Sequence, residues 1–261
     1  MKEFKDQMHQ TIRLATAPRR IVSLVPSQTQ LLHYLGLEDE VVGITKFCIQ
    51  PKEWFDTKVR VGGTKSASYD LVFGLQPDLI IGNKEENQKE NIECLQKVAP
   101  VWMSDIYNLA DALEMMRMIG EITEKSNEVA ALISEIEKEF ELLRSTVSTS
   151  AVRGKSVLYF IWNDPKMVAG TNTFVDAMLS ECGLMNACQE ERYPDVTNAA
   201  IEPDYVFLSS EPFPFAEKHI EDFQRNYPTA KIVLVDGEMF SWYGSKLKDA
   251  PRYFRELIAK L

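Results

Sequence analysis

Residues able to do bond-making chemistry are few in this chain of 261 residues, and they are widely spaced. The three histidines, His9, His33 and His219, lie in separate segments. Two of these segments are helical patterns, so a zinc triad would need distant segments to converge, and each histidine is read as a surface or packed residue. The four cysteines are Cys48, Cys94, Cys182 and Cys188. That is too sparse for a disulfide framework and contains no C-x-x-C pair, so free, mostly buried thiols are expected. Cys48 follows Lys46 and Phe47 in a loop, where a neighbouring ammonium could lower its pKa. Packing of that loop is the simpler role. There is no G-x-G-x-x-G, no P-loop and no nucleophile elbow. The residue types therefore point to binding rather than catalysis, with no catalytic residue, no metal and no resident cofactor expected.

The aromatics are placed less ordinarily. Phe213 and Phe215 fall in the run Ser209–Phe215. Phe240, Trp242 and Tyr243 fall in Glu238–Ser245 (EMFSWYGS), and Trp162 precedes a polar turn. Aromatic side chains in loops pack either on a core edge or on a flat ligand, and both readings stand at this point. In open parallel sheets ligands bind beyond the carboxyl ends of the strands. The candidate contact residues are accordingly those that follow each strand. In the first half these are Pro26, Ser27 and Gln28, then Lys46, Phe47 and Cys48, then Thr64 after Gly62-Gly63, and Asn83. In the second half they are Trp162, Phe213, Phe240, Trp242 and Tyr243.

The elements that would position these residues are legible from periodicity. Buried-strand runs occur at 19–25, 41–45, 59–63, 79–82 and 101–103, and again at 155–162, 205–208 and 231–235. Helical patterns alternate with them. Ser27 reads as the N-cap of a helix closed by Gly36, and helices are expected at 69–75, 87–98, 109–121, 173–181, 217–226 and 251–261. Residues 10–14 read as a short edge strand. The two halves share a plan. Leu75-Gln76-Pro77-Asp78-Leu79-Ile80-Ile81 is matched by Ile201-Glu202-Pro203-Asp204-Tyr205-Val206-Phe207, and the opening strand, helix and glycine from Ile21 to Gly36 are echoed from Val157 to Gly183. Between the halves lies Ser126–Val147, whose Val129, Leu132, Ile133, Ile136, Phe140 and Leu143 recur at steps of three and four without Gly or Pro. The expectation is an α/β fold: two Rossmann-like lobes with parallel sheets, 1–118 and 152–261, joined through a connecting segment at 119–151 by one long backbone helix of roughly 30 Å.

Bulk properties narrow the function class. The net charge of −10 argues against nucleic acid as a partner, and 45% hydrophobic with 26% charged residues is ordinary globular composition. No run is apolar and long enough to span a membrane, and the first residues lack the apolar core and cleavage site of a signal peptide.

With Arg20-Ile-Val-Ser-Leu-Val-Pro-Ser-Gln-Thr, Val61-Gly-Gly-Thr, Leu75-Gln-Pro-Asp-Leu-Ile-Ile and Ser209-Ser-Glu-Pro-Phe-Pro-Phe in this order, the chain resembles the helical-backbone substrate-binding proteins of ABC importers. These are the cobalamin, ferric-siderophore and haem binders, and the cobalamin branch is the nearest in pattern. The resemblance implies two lobes bridged by one helix, with a corrinoid held in the cleft between them. Aromatic packing and loop hydrogen bonds would hold it, with no obligatory protein ligand to cobalt. It implies a monomer in the periplasm or cell envelope, a metal-chelate ligand as cargo rather than cofactor, and docking on a membrane permease through one carboxylate per lobe. Asp70 matches the first docking position and Glu202 is taken for the second. Four positions depart from the family pattern. Thr64 and Asn83 stand where enteric cobalamin binders carry Trp, Gln30 ends a segment that commonly reads Ser-x-Thr-Glu, and Gln50 replaces a common His. The alternatives are a siderophore or haem binder of the same fold and, from another class, a cytoplasmic corrinoid- or tetrapyrrole-handling protein or enzyme.

Overall fold

The computed structural model describes residues 1–261. Contacts divide the chain into two compact units. The first holds residues 1–106, 110–134 and 243–246, and the second holds 107–109, 135–242 and 247–261.

The first unit is built on a five-stranded sheet in the order Val59–Arg60, Val41–Ile44, Ile21–Ser23, Leu79–Asn83, Val101–Ser104. Every neighbouring pair in it is parallel. Such a sheet is covered on both faces, which is why its strands read as near-continuous apolar runs. Leu79–Asn83 and Val101–Ser104 are buried at every position. On one side Val22, Leu24, Val61, Val72, Ile80, Leu95 and Met103 form a continuous core. The amino terminus adds what the sequence only half disclosed. Thr11–Leu14 is not an edge strand of the main sheet but pairs antiparallel with Lys2–Lys5. The hairpin turns at His9, whose φ of 61° is left-handed. The buried Asp6 carboxylate holds that turn, accepting from the Met8 and Gln10 amides at 2.9 and 2.7 Å.

The second unit repeats the scheme with Ser156–Trp162, Tyr205–Ser209 and Lys231–Val235 in parallel, and the short Met167–Val168 antiparallel at the edge. Its core combines Leu158, Phe160, Val206, Leu208, Phe215 and Phe223 on one side. Tyr159, Phe207, Phe240 and Phe254 are also fully enclosed.

The Pro-Asp lead-ins perform the same task in each unit. Asp78 accepts from the backbone amides of Arg19 and Arg20 at 2.8 and 2.9 Å, fixing the entry to Ile21–Ser23. Asp204 accepts from the Ser156 amide and hydroxyl at 2.8 and 2.9 Å and from Lys155 at 2.8 Å, fixing the entry to Ser156–Trp162. In each case an acid before one strand ties down the strand beside it.

The long helix runs Ser126–Ser148. Val129, Leu132 and Ile133 are buried in the stretch belonging to the first unit, and Ile136, Phe140, Leu143 and Val147 in the stretch belonging to the second. It follows Leu109–Ile122 after a turn in which Glu124 has φ 58°. Gly120 is required there, because a Cβ would lie 2.8 Å from a Val129 methyl.

Two local expectations change. Ser27 does not cap its helix: Pro26–Tyr34 starts with Pro26 in its first turn, where proline's missing N–H costs nothing, and extended Val25 is the cap. Glu238–Ser245 is not all loop, because Gly237–Ser241 forms a helix capped by Asp236, whose carboxylate accepts from the Glu238 amide. A further short helix, Lys52–Thr57, follows the Lys46–Cys48 loop and buries Trp54 completely.

Candidate functional site

The carboxyl end of the first unit's sheet is organised around the Ser104 hydroxyl. It accepts from Gln28 Nε2 at 2.5 Å and Asn83 Nδ2 at 2.9 Å, and donates to the Gly82 carbonyl at 3.2 Å. Gln28 and Asn83 are thereby turned inward, 1% and 2% exposed. The Asn83 side-chain oxygen, Oδ1, is used as well, accepting from the Glu85 and Glu86 amides at 2.8 and 3.1 Å. These polar side chains shape the loops rather than present themselves. Ser27 Oγ and Gln28 Oε1 are buried without a hydrogen-bond partner. Cys48 is fully buried, its sulfur 3.1 Å from Thr29 Oγ1 and 3.2 Å from Thr45 Oγ1. Burial pushes its thiol up, so Lys46 does not activate it and the loop-packing role stands.

What this end presents is Phe47, 52% exposed, with Lys46 beside it. The Lys46 ammonium lies 5.1 Å from the ring centroid. A Cβ on Gly63 would lie 3.4 Å from the Phe47 ring and 3.7 Å from the Lys46 chain, so the absent side chain lets both rest on that backbone. Pro26 and Thr64 are half-buried nearby in sequence position at the same strand ends.

In the second unit the presented aromatic is Trp162, 41% exposed. Its indole N–H donates to the Asp164 carbonyl at 3.0 Å, and its ring meets Phe213 edge-on at 5.7 Å. Half-buried Phe213 in turn packs on Phe215 and His219, with centroids 4.7 and 5.4 Å away. The remaining aromatics are core. Phe240 has no exposure and lies against Tyr159 and Phe254 at 5.1 and 4.6 Å. Trp242 is 7% exposed and donates to Glu211, whose Oε1 also accepts from Ser241 at 2.5 Å. Burial raises Glu211, the two donors only partly offsetting it, and the nearby Glu238 and Asp236 carboxylates raise it further. Tyr243, assigned to the first unit, is 6% exposed.

Of the expected contact residues, then, Lys46, Phe47 and Trp162 are exposed and Pro26, Thr64 and Phe213 are half-buried. Ser27, Gln28, Cys48, Asn83, Phe240, Trp242 and Tyr243 were expected among the contact residues and are covered. Loop position alone hid this, because whether a strand-end aromatic faces in or out depends on the helix that the loop turns into.

A family model described as periplasmic binding protein matches residues 21–232. The chain belongs to the periplasmic binding protein family. An uncharacterised ABC transporter substrate-binding lipoprotein, YvrC of Bacillus subtilis, is 26% identical over 77% of this chain and 67% of its own length. A vitamin B12-binding protein of Pectobacterium carotovorum is 20% identical over 88% of this chain and 84% of its own. Among solved structures, the petrobactin-binding protein YclQ of Bacillus subtilis superposes with a TM-score of 0.80 at 19% identity, covering 100% of this chain and 99% of that one. This last likeness establishes the shared fold.

Within this periplasmic binding protein, Asp70 and Glu202, the two carboxylates expected from the resemblance to dock a permease, are both exposed. Asp70 sits in the first turn of Tyr69–Gly74, a helix capped by the Ser68 hydroxyl. Tyr69, Leu71 and Phe73 around it are 40%, 47% and 61% exposed, with the two rings stacked at 6.1 Å. That apolar surround was not singled out in the sequence, although the alternation in Tyr69-Asp70-Leu71-Val72-Phe73 carries it. Glu202 lies immediately before Pro203, in the irregular lead-in to Tyr205–Ser209.

Proposed function

We propose that this chain is the substrate-binding protein of an ABC importer and that its ligand is a corrinoid. The observation that carries the reading is that each unit presents one large aromatic at the carboxyl end of its parallel sheet, Phe47 at 52% and Trp162 at 41% exposure, the first on a loop anchored by the buried Thr45–Cys48 contact and the second held by its indole N–H on the Asp164 carbonyl. Exposed rings on rigid loops suit a large, flat, partly apolar ligand, because ring burial on binding gains contact area at small entropic cost. Lys46, Thr64 and Phe213 complete the contacting set, with Pro26 holding the first turn. The partner is a membrane permease met through Asp70 and Glu202, and the working compartment is outside the cytoplasmic membrane, as the names of the relatives support. The chain acts as a monomer and transforms nothing.

A ferric siderophore is the second reading, favoured by the fold shared with the petrobactin-binding protein. Calorimetric titration of the full chain with cyanocobalamin, haem and a ferric catecholate separates the readings. Saturable binding of cyanocobalamin is expected. Absence of heat or spectral change at high micromolar cyanocobalamin sinks the corrinoid assignment, and binding of the ferric catecholate instead would replace it.

A further inference from the structure

A group of side chains in the first unit has no part in the strand-end surface. His33 lies in the last turn of Pro26–Tyr34, about 9 Å along the helix from Ser27. Glu38 follows in the next turn of chain, and Glu53 comes from Lys52–Thr57. His33 Nε2 is 2.7 Å from Glu53 Oε1, and one ligand atom from each of the three side chains lies within 4.8 Å of the others. We propose that His33, Glu38 and Glu53 form a binding site for one divalent transition-metal ion of the zinc class, separate from the ligand site above.

An ordinary ion pair would need one carboxylate, and here two converge on one imidazole. Glu38 is held in place from the protein side. Its Oε2 accepts from the Trp54 indole at 2.5 Å, and that hydrogen bond is the main reason its carboxyl stays below the usual range and ionised. The imidazole is positioned too, its ring edge-on to the fully buried Trp54 at 5.1 Å. Zinc takes nitrogen and carboxylate oxygen at about 2.0–2.2 Å, which sets neighbouring ligand atoms roughly 3.4 Å apart, so His33 Nε2 and Glu53 Oε1 must part from 2.7 Å to admit an ion. His33 and Glu53 are 36% and 65% exposed at the side chain, which leaves them free to make that adjustment and leaves a coordination position to water. One imidazole with two carboxylates selects zinc, nickel, cobalt or copper over magnesium and calcium, which prefer all-oxygen sets. Lys58 works against the cation, its ammonium 3.5 Å from Glu38 Oε1. That ammonium is anchored on the Glu38 carbonyl at 2.5 Å, so it weakens the site without filling it.

The test uses the full chain, freed of metal with chelator, titrated with zinc chloride by calorimetry and followed by imidazole NMR. With three histidines in the sequence, the ring signals are few enough to assign by substitution. Saturable binding of one zinc per chain is expected, with the His33 ring signals shifting and those of His9 and His219 unmoved. Binding should be lost in His33→Ala and weakened in both Glu53→Gln and Glu38→Gln, which keep neutral hydrogen-bonding groups and the fold, checked by thermal melting. No saturable binding, or binding that persists in His33→Ala, overturns the site. Binding that requires His33 but is indifferent to both glutamine variants overturns it as well, since a lone surface imidazole would then explain it.

Discussion

Phe47 and Trp162 on one hand, and Phe240 and Trp242 on the other, share residue type and strand-end position but not physical situation. Trp162 makes an edge contact with Phe213 and leaves much of its face to solvent. Trp162→Ala should therefore weaken corrinoid binding by about 2 kcal/mol, roughly thirtyfold in Kd, while unfolding free energy changes by no more than about 0.5 kcal/mol. Calorimetry and a urea melt on the same preparation measure both. Phe240 is enclosed by Tyr159, Phe207 and Phe254, so Phe240→Ala should cost about 3–5 kcal/mol of stability. Trp242 belongs with Phe240: its removal also strips a donor from the half-buried Glu211, so loss of stability comes before any loss of contact area. A Phe240→Ala protein that melts normally would show that the enclosed ring contributes little. None of this contrast was visible in EMFSWYGS as letters, because the helix that turns Phe240 inward is fixed by the Asp236 cap and by packing on Phe254.

At the scale of elements, the duplicated acid is the clearest case for pH analysis. Asp204 is held at about 2, below its ordinary 3.8, by the Lys155 ammonium first and then by the Ser156 amide and hydroxyl. A carboxyl whose folded pKa is depressed contributes stability above the unfolded value and loses it as pH falls through the folded one. Asp204→Asn should thus lower the melting temperature at pH 7, and the gap from the unsubstituted chain should close between about pH 4 and pH 2. A gap that stays constant across that range would mean that the acid acts by packing alone. A second element-level prediction concerns Gly183, with φ 71° after Phe174–Glu181. A Cβ there would sit 2.4 Å from a Val147 methyl of the long helix, so Gly183→Ala should destabilise by about 2 kcal/mol in a denaturant melt. Both devices were partly legible. The Pro-Asp repeat and the post-helical glycine stood out in the sequence, and the apolar spacing from Val129 to Leu143 marked the long helix to within a residue of its observed end. The partners were not legible: that Asp78 and Asp204 reach the neighbouring strand, or that Lys2–Lys5 pairs with Thr11–Leu14, depends on contacts far apart in sequence. The burial of Trp54 on the short helix Lys52–Thr57 was hidden for the same reason.

For the whole molecule, the reading as a binding protein has a consequence that does not depend on any one residue. A ligand that binds only the folded chain stabilises it by mass action, by about 2.7 kcal/mol at a hundredfold excess over Kd. For chains of this size that corresponds to a rise in melting temperature of about 5–10 °C. Cyanocobalamin should produce such a concentration-dependent shift at neutral pH. The residues proposed to contact ligand fall in both units, Lys46, Phe47 and Thr64 in the first and Trp162 and Phe213 in the second. Ligand should therefore slow hydrogen exchange in the loops after Val41–Ile44 and after Ser156–Trp162 together, while the already enclosed strands Leu79–Asn83 and Tyr205–Ser209 change little. Protection confined to one unit would mean that the other unit's aromatic serves something else, such as a protein partner. A melting temperature indifferent to cyanocobalamin but raised by a ferric chelate would keep the architecture and the presented aromatics and move the cargo to the siderophore class.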